Sequence, residues 1–358
     1  MKRQVQKHNL DIYFLMSFTQ GAPQDDTENQ LDNSCLTRNS SFVIPSSYNS
    51  CTIHYHFNNA LFSSFYITII LISIPANLFS LYVSYKQIKR KNELGVYLLN
   101  LSLADLMYTM VLPIWVDFAL KDVWSYGIFI CQLCVFVMYT NIYSSAAFLC
   151  CISLDRYLAV VHPLRYFFLR TVKNAGYISV IIWATGLLCN VLILNIEETY
   201  TCEEFYLICF DLHPLPAWKA KFNFIRFFAG FLLPSLLIMF CCQGIYRAVK
   251  SNRATVDCEK RKINKLLFSI MIMFLFCFAP FHVIMVIRSA LEQENCDFAQ
   301  ILFYPHKISV ALSALNCVVD PFLYCFVSTH GRMEVLNIVL FRKKCSFSSQ
   351  GKELEPTA

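Results

Sequence analysis

The chain has 358 residues, of which 56% are hydrophobic and 15% charged, and its formal net charge is +6. Soluble domains carry about 25% charged residues. The composition therefore argues against ordinary soluble domains and indicates membrane helices, whose lipid-facing surface needs no polar side chains. The basic residues lie in short clusters between apolar runs, which is typical of membrane topology and argues against a nucleic-acid-binding domain.

The first segment, residues 1–57, is rich in Asn, Ser, Asp and Gln and predicts a disordered extracellular tail. Within it, the run Asn39-Ser40-Ser41 matches the acceptor pattern for N-glycosylation. We therefore expect a glycoprotein modified at Asn39.

Seven apolar runs follow the tail, each long enough to cross about 30 Å of hydrocarbon. They are predicted at 61–86, 94–120, 128–160, 175–195, 224–248, 263–288 and 303–327. Basic residues concentrate in the connections between runs 1 and 2, 3 and 4, and 5 and 6, which places those connections in the cytoplasm. The sequence thus predicts an all-α membrane protein, a seven-transmembrane helix bundle with its N-terminus outside and its C-terminus in the cytoplasm.

The segment after the seventh run has apolar residues at helical spacing from 328 to 340, followed by the basic residues 342–344. This pattern predicts a short amphipathic helix on the membrane surface, and Cys345 beyond it is a candidate palmitoylation site. The predicted organisation is a tail (1–57), a bundle with its surface helix (58–340) and a cytoplasmic tail (341–358). Candidate phosphorylation sites in that last tail are Ser346, Ser348 and Ser349.

Polar residues recur inside the predicted membrane helices, where each is costly and needs a reason. They are Asn77, Asp105, Asn141, Ser145, Asn316 and Asp320. If they face one another, Asp105 and Asp320 cannot both stay charged without a cation or a shared proton. We therefore predict a proton or sodium site at Asp105, Ser145, Asn316 and Asp320, which would also join the helices by hydrogen bonds.

Short motifs lie in a fixed order along the predicted helices. They are Asp155-Arg156-Tyr157 in helix 3, Trp183 in helix 4, Cys277-Phe278-Ala279-Pro280 in helix 6 and Asp320-Pro321-Phe322-Leu323-Tyr324 in helix 7. Together they resemble the motifs of rhodopsin-like (class A) G-protein-coupled receptors, over about residues 58–345. Phe278 stands where that family has its switch tryptophan, and Asp320 where it has asparagine. The resemblance implies a plasma-membrane receptor that binds a heterotrimeric G protein and arrestin. No enzyme motif stands out and no cofactor is expected.

The resemblance also implies roles for the motif residues. Asp155 would hold Arg156 in an ion pair whose release frees the guanidinium for the G protein. Prolines break a backbone hydrogen bond and kink a helix. The coupling residues are then Asp155, Arg156, Tyr157, Phe278, Pro280, Pro321 and Tyr324. A disulfide between Cys131 and Cys209 is implied, and a second bridge stays open among Cys51, Cys202 and Cys296.

Longer sequence runs indicate a subfamily within this receptor family. Glu93-Leu94-Gly95-Val96-Tyr97, Asn141-Ile142-Tyr143-Ser144-Ser145 and Cys277-Phe278-Ala279-Pro280-Phe281-His282 are similar to the proton-sensing receptors, in particular to the T-cell-death-associated (psychosine) type. This resemblance implies sensing of extracellular protons and a rise in cyclic AMP through Gs. One position departs from it: the proton-sensing receptors usually carry Glu three residues after the helix-4 Trp, where this chain has Gly186. Acid sensing would then be weaker, shifted in pH or carried by other groups.

Histidine titrates near pH 6.5 without perturbation, so it suits a sensor of mild acid. The candidate proton-sensing residues are His282, Asp117, Asp105, Asp320, His306, His213, His54 and His56. We favour His282 because it lies about half a turn past Pro280 inside a helix. Moving a population from 1:99 to 99:1 needs about 5.5 kcal/mol, and a pKa difference of one unit supplies about 1.4 kcal/mol, so several groups must contribute.

Two alternative functions remain open. Arg226, Arg288 and Lys307 near the outer helix ends suit the phosphate or carboxylate of a lysolipid or another small acidic ligand, although snorkelling also explains such cations. A proton-gated channel or transporter is the other alternative, against which the absence of an internal repeat and the ordered motifs argue. Receptors for amines and for retinal are disfavoured because their binding Asp and Lys are Met138 and Ala314 here.

Overall fold

The computed structural model describes residues 59–322, apart from gaps at 122–123, 164, 197–199, 204–205, 210–213, 252–256 and 294. Within this part, seven helices are long and apolar enough to cross a membrane, which confirms the predicted architecture. They are α1 (Asn59–Lys89), α2 (Leu94–Lys121), α3 (Gly127–Val161), α4 (Val172–Ile196), α5 (Ala217–Phe227, a π-helical turn Phe228–Leu232, and Leu233–Ser251), α6 (Asp257–Leu291) and α7 (Cys296–Ser313, Asn316–Val319 and the 3-10 turn Asp320–Phe322). The predicted tail, surface helix and Cys345 lie outside the described residues and stay predictions.

Two helices begin seven residues earlier than their apolar runs, α5 at Ala217 and α7 at Cys296. The side chain of Asn295 accepts hydrogen bonds from the backbone N–H groups of Asp297 and Phe298, so it caps the start of α7. In α5, the added turns carry polar side chains that are buried in the bundle, among them Lys219. Hydropathy misses such turns because their polar residues face the protein rather than water.

The connection between α4 and α5 contains a short β-hairpin, which the all-α prediction did not include. Strand β1 (Tyr200–Glu203) pairs antiparallel with β2 (Tyr206–Cys209). The predicted disulfide between Cys131 and Cys209 is present and joins β2 to the outer part of α3. Cys296 is also disulfide-bonded, and the identity of its partner, Cys51 or Cys202, stays a prediction.

The helix α3 runs through the middle of the bundle. In its most apolar stretch, 78% of the residues are buried, against 11% in α4, whose exposed side chains suit contact with lipid. Side chains of α3 are therefore the best placed to connect groups on different helices.

The π-helical turn of α5 has a local cause in Pro234. Proline has no N–H, and its ring would clash with the carbonyl four residues earlier, that of Gly230. The wider turn relieves this clash, and the Leu233 N–H bonds to the carbonyl of Phe228, five residues back. Gly230 also packs against α3, since a Cβ atom there would lie 2.4 Å from Cε1 of Tyr143. The next residue, Phe231, is thereby held inside the bundle.

A second proline, Pro321, explains how α7 is joined to α1. Because Pro321 cannot donate a hydrogen bond, the carbonyl of Cys317 loses its usual helical partner. Two α1 side chains replace it: the Ser73 hydroxyl donates at 3.1 Å and the Asn77 amide at 2.8 Å. The polar residue predicted in helix 1 thus stabilises the break in α7.

Candidate functional sites

The predicted polar cluster is assembled at the middle of the bundle. Asp105 and Asp320, the buried carboxylate pair, are 0% and 3% exposed. The Asn141 amide donates to Oδ1 of Asp105 at 3.0 Å and approaches Oγ of Ser145 at 3.5 Å. The Asn316 amide in turn donates to Oδ1 of Asn141 at 3.1 Å. Helices α2, α3 and α7 are therefore connected through Asn141, which the sequence named only as one member of the set.

The carboxylate pair has unsatisfied oxygens. Among the described residues, no nitrogen or oxygen donor gives a hydrogen bond to Oδ2 of Asp105 or to Oδ2 of Asp320, although the weakly donating Cys317 thiol lies near Asp105. The two side chains also interact electrostatically. A buried anion without donors is costly, so the pair needs a proton or a cation. Oxygen atoms of carboxylate, hydroxyl and amide groups are ligands that hard cations prefer, so these residues fit sodium, which stays a prediction.

His282 is buried in an aromatic cage on α6 and is 1% exposed. Its Nδ1 lies 2.8 Å from the carbonyl oxygen of Phe278. Since a carbonyl only accepts, Nδ1 carries the hydrogen of the neutral ring, and Nε2 has no hydrogen-bond partner. The edges of the cage come from Tyr143 and Phe281, with ring centroids 6.1 and 5.2 Å away. Protonation at Nε2 would place a buried donor where the described residues supply no acceptor.

The ring of His282 belongs to a stack that we call the His282 ring cluster: His282, Phe231, Phe274 and Phe278. His282 stacks on Phe231 at 5.0 Å, and Phe231 stacks on Phe274 at 5.8 Å. Phe274 then contacts Phe278 at 5.1 Å. The cluster thus joins the π-helical turn of α5 to the turns of α6 on both sides of Pro280. A change at His282 reaches Phe278 both through the rings and through the hydrogen bond to its carbonyl.

The candidate Asp117 lies apart from these groups, half-exposed at the outer end of α2. It accepts a hydrogen bond from the Tyr126 hydroxyl at 2.9 Å and pairs with Nζ of Lys121 at 3.0 Å. The hydrogen bond to Asp117 is the main reason why the pKa of Tyr126 is raised above its ordinary value. Asp117 is therefore engaged at the rim and not joined to His282.

A small cavity opens on the outer side and is lined in part by His306, which is 7% exposed. Tyr139, Lys219, Asn223 and Arg288 are among the other residues around it. His306 also lies near the aromatic cage, with its ring 6.4 Å from that of Phe281. The cavity therefore brings a titratable imidazole next to buried cations.

The three outer cations named from the sequence all have partners in the bundle. Arg226 lies over the Tyr139 ring at 4.2 Å, and Arg288 forms a buried ion pair with Glu292. Lys307 lies 5.4 Å from the centroid of the Phe303 ring. Only Arg288 is among the residues that line the cavity.

At the opposite end of the bundle lies the inner ion cluster, formed by Glu93, Asp155, Arg156 and Arg170. Arg156 donates to Oδ2 of Asp155 through Nη2 at 2.7 Å and Nε at 3.1 Å, as predicted for the motif. Arg170, before α4, donates to Oδ1 of the same carboxylate at 2.9 Å and to Oε1 of Glu93 at 2.6 Å. Arg170 was not among the predicted site residues, because nothing in its spacing shows that this loop reaches α3.

Tyr157, the last residue of the motif, packs against α5. Its ring lies 5.4 Å from that of Phe240, and a Cβ atom on Gly244 would come within 2.4 Å of it. Tyr324, the other tyrosine among the predicted coupling residues, is outside the described residues.

The remaining predicted site residues fall into two groups. Those outside the described residues are His54, His56, His213, Tyr324, Asn39 and Cys51. Gly186 is described: it is half-exposed on α4, and a Cβ atom there would meet nothing within 4 Å. Packing around the backbone is therefore not the reason why a glutamate is missing at this position.

Comparison with known proteins agrees with this arrangement. The seven-transmembrane receptors of the rhodopsin family match residues 76–324. G-protein coupled receptor 68 of Mus musculus is 44% identical over 311 residues, covering 86% of this chain and 85% of the relative. G-protein coupled receptor 65 of Homo sapiens is 42% identical over 305 residues, covering 82% and 90%. Lysophosphatidic acid receptor 6 of Gallus gallus is 28% identical over 288 residues, covering 78% and 94%. The chain therefore belongs to the rhodopsin family of G-protein-coupled receptors and is a multi-pass membrane receptor, not an enzyme.

Proposed function

We propose that this receptor senses extracellular protons and signals through Gs to raise cyclic AMP. The observation that carries the proposal is the setting of His282. Its Nε2 is buried and has no hydrogen-bond partner among the described residues, while its ring contacts Phe231 and its Nδ1 contacts the Phe278 carbonyl. The similarity of the motif runs to the proton-sensing receptors supports the proposal. The tail that bears His54 and His56 would face the acid, and the Asp155 end would face the G protein and arrestin.

The mechanism begins with the cost of a buried charge. In the arrangement described here, an imidazolium at His282 would be desolvated and would lack an acceptor at Nε2. Acid therefore favours any arrangement in which Nε2 reaches water or a carboxylate. Phe231, Tyr143 and Phe281 surround the ring, so this arrangement requires α5 and α6 to repack. Phe278 lies two residues before Pro280, where the helix lacks a backbone hydrogen bond and can bend. Repacking of Phe278 therefore changes how the inner half of α6 packs against the bundle.

The buried carboxylate pair supplies a second proton site. A proton on Asp105 or Asp320 removes the repulsion between the two carboxylates, and the protonated carboxyl group can then donate a hydrogen bond. Sodium at the same oxygens would compete with that proton. A shift of the population from 1:99 to 99:1 needs about 5.5 kcal/mol. One group whose pKa differs by one unit between the two states supplies only about 1.4 kcal/mol. His282 and the carboxylate pair must therefore favour the same state, together with outer groups such as His306 and Asp117.

Cyclic AMP recorded while the outer pH is stepped from 8 to 6 tests the proposal. Cells would express the intact receptor, its His282→Phe variant or its His306→Phe variant, beside untransfected cells, with surface expression measured in each. Phenylalanine keeps the ring stack on Phe231 but removes the titrating nitrogen. We expect a receptor-dependent rise on acidification, with a smaller or more acid-shifted rise in His282→Phe.

Each other outcome corrects a defined part of the proposal. An unchanged response in His282→Phe moves the sensor to the carboxylate pair or to His306. A flat response from receptor that has reached the surface refutes Gs-linked proton sensing. A pH-evoked current that persists without G protein would instead support a channel.

A second candidate function is recognition of a lysolipid or another small acidic ligand. The outer cavity is lined by Lys219, Arg288 and His306, which suit a phosphate or carboxylate. The relative named as a lysophosphatidic acid receptor adds a reason to test this ligand class. A cyclic AMP response to lysophosphatidic acid at constant pH 8, lost in Arg288→Gln but kept in Lys307→Gln, would favour it over proton sensing.

A further inference from the structure

In the inner ion cluster, two arginines donate to the two oxygens of one carboxylate, which the Asp155-Arg156-Tyr157 motif alone does not indicate. Arg156 occupies Oδ2 of Asp155 and Arg170 occupies Oδ1. Arg170 donates through Nη2 to Oε1 of Glu93, the residue directly before α2, at 2.6 Å. The position of Arg156 therefore depends on three other charged groups, Asp155, Arg170 and Glu93, rather than on its neighbour Asp155 alone.

The balance of charge in the cluster depends on Glu93. With Glu93 ionised, two carboxylates face two guanidinium groups. With Glu93 neutral, both arginines share the single charge of Asp155, and the potential at Arg156 becomes more positive. Whatever rearrangement follows, Arg156 is then attracted less strongly to its position in the bundle.

We propose that Glu93 is a second proton-binding site of this receptor, on the cytoplasmic face, and that its protonation weakens the hold of Asp155 on Arg156 and raises basal G-protein coupling. Arg170 is the positioning residue that links the two carboxylates. The inference rests on the predicted orientation and on the G-protein coupling of the family, and it does not depend on proton sensing at the outer face.

The surroundings of Glu93 raise its pKa above the ordinary value of a glutamate. Burial is the main cause of a raised pKa at Glu93, and the Asp155 carboxylate adds to the rise, while the backbone N–H and Arg170 act in the opposite direction. The other charged or titratable neighbours are Arg156 on α3, Tyr97 on α2 and the adjacent Lys91. Arginine does not titrate in this range, so Glu93 carries the response.

The sign of the effect follows from linkage. The positive charge of Arg156 stabilises the Glu93 carboxylate, so the pKa of Glu93 is higher in the state that Arg156 has left. A fall in cytoplasmic pH therefore favours the released state, and the two events strengthen each other reciprocally. The effect disappears once the pH rises above the pKa of Glu93 in the released state.

Inside-out membrane vesicles test this directly, because the bath then contacts the cytoplasmic face while the enclosed solution is buffered at pH 8. The measurement is GTPγS binding to purified Gs in the bath at pH 7.4 and pH 6.4, normalised to vesicles without receptor. The variants are Glu93→Gln, Arg170→Gln and the control Lys173→Gln, which removes an exposed charge three residues after Arg170.

We expect the wild-type receptor to bind more GTPγS at pH 6.4 than at pH 7.4, by about two- to fivefold, the factor that corresponds to the ~0.5–1 kcal/mol of a partly exposed ion pair. Glu93→Gln should be high at both pH values. Arg170→Gln should be low, because both carboxylates then attract Arg156 alone, and Lys173→Gln should match wild type. A pH response that survives in Glu93→Gln, or a rise in Arg170→Gln, overturns the inference. Because the outer face is held at pH 8, neither result depends on outer acid sensing.

Discussion

The contact between Gly230 and Tyr143 predicts that even a methyl group at residue 230 destabilises the bundle. In Gly230→Ala, the new Cβ atom would lie 2.4 Å from Cε1 and 2.8 Å from Cδ1 of Tyr143. The ring cannot turn aside freely, since it stacks on Tyr139 at 6.1 Å and meets His282 edge-on. Overpacking of this kind costs ~1–3 kcal/mol, while replacing a helical glycine by alanine returns about 1 kcal/mol. The expected net loss is about 1 kcal/mol, or a melting temperature lower by roughly 2–4 °C.

Gly176→Ala is the matched control for this prediction. Gly176 is also helical and half-exposed, but a Cβ atom there would meet nothing within 4 Å. This variant should keep or raise the melting temperature, so the difference between the two alanine variants isolates the contact with Tyr143. Thermal unfolding of the purified receptor in lipid nanodiscs measures both.

A double-mutant cycle makes the test specific to the two side chains. In a Tyr143→Ala background the clash is absent, so Gly230→Ala should no longer lower the melting temperature. If Gly230→Ala behaves like Gly176→Ala in the wild-type background, the close approach of α3 and α5 is wrong, and with it the support that the π-helical turn gives to Phe231.

Three further predictions follow from single contacts. Asn77→Ala removes a donor from the Cys317 carbonyl and should cost about 1–2 kcal/mol in unfolding free energy. Ser80→Ala removes a buried hydroxyl that has no hydrogen-bond partner in the part of the chain that the structure describes, so it should cost nothing measurable in the same thermal assay. Asp320→Asn removes one of two buried carboxylates and should stabilise the receptor at pH 8 without sodium by on the order of 1 kcal/mol; a lower melting temperature would show that the charge is already neutralised. Gly186→Glu meets no backbone obstacle, so we expect normal surface expression and a stronger or less acid-shifted cyclic AMP response; an unchanged response would remove that position from the sensor.

The helices could be predicted from the sequence, but the first turns of α5 and α7 could not. Apolar runs identify the part of a helix that contacts lipid, and the first turns of α5 instead bury Lys219 and Asn223 inside the protein. The start of α7 depends on the cap formed by Asn295, a local signal outside the apolar run. Hydropathy therefore predicts the number of helices and their lipid-facing segments. The first turns of α5 and α7 depend instead on capping and on the burial of polar side chains.

The site residues divide in a similar way. The sequence singled out His282 because of its place beside Pro280, but its aromatic surroundings depend on how the π-helical turn aims Phe231, which no periodicity reveals. Arg170 was missed because a basic residue in a loop is ordinarily a solvated one. Its pairing with Asp155 and Glu93 joins three separate elements, and only their packing brings those charges within hydrogen-bonding distance.

The two proton sites proposed inside the bundle would act on the same short stretch of α6. Cys277 lies within electrostatic range of both Asp105 and Asp320, and Phe278 follows it directly, one turn before His282. A proton on the carboxylate pair and a proton on His282 would therefore both change the packing of the turn that bears Phe278. Sites that favour the same state through a shared element are coupled, so removing both should shift the acid response by an amount that differs from the sum of the single shifts. Independent, additive shifts would mean that the two sites reach the cytoplasmic end by separate routes.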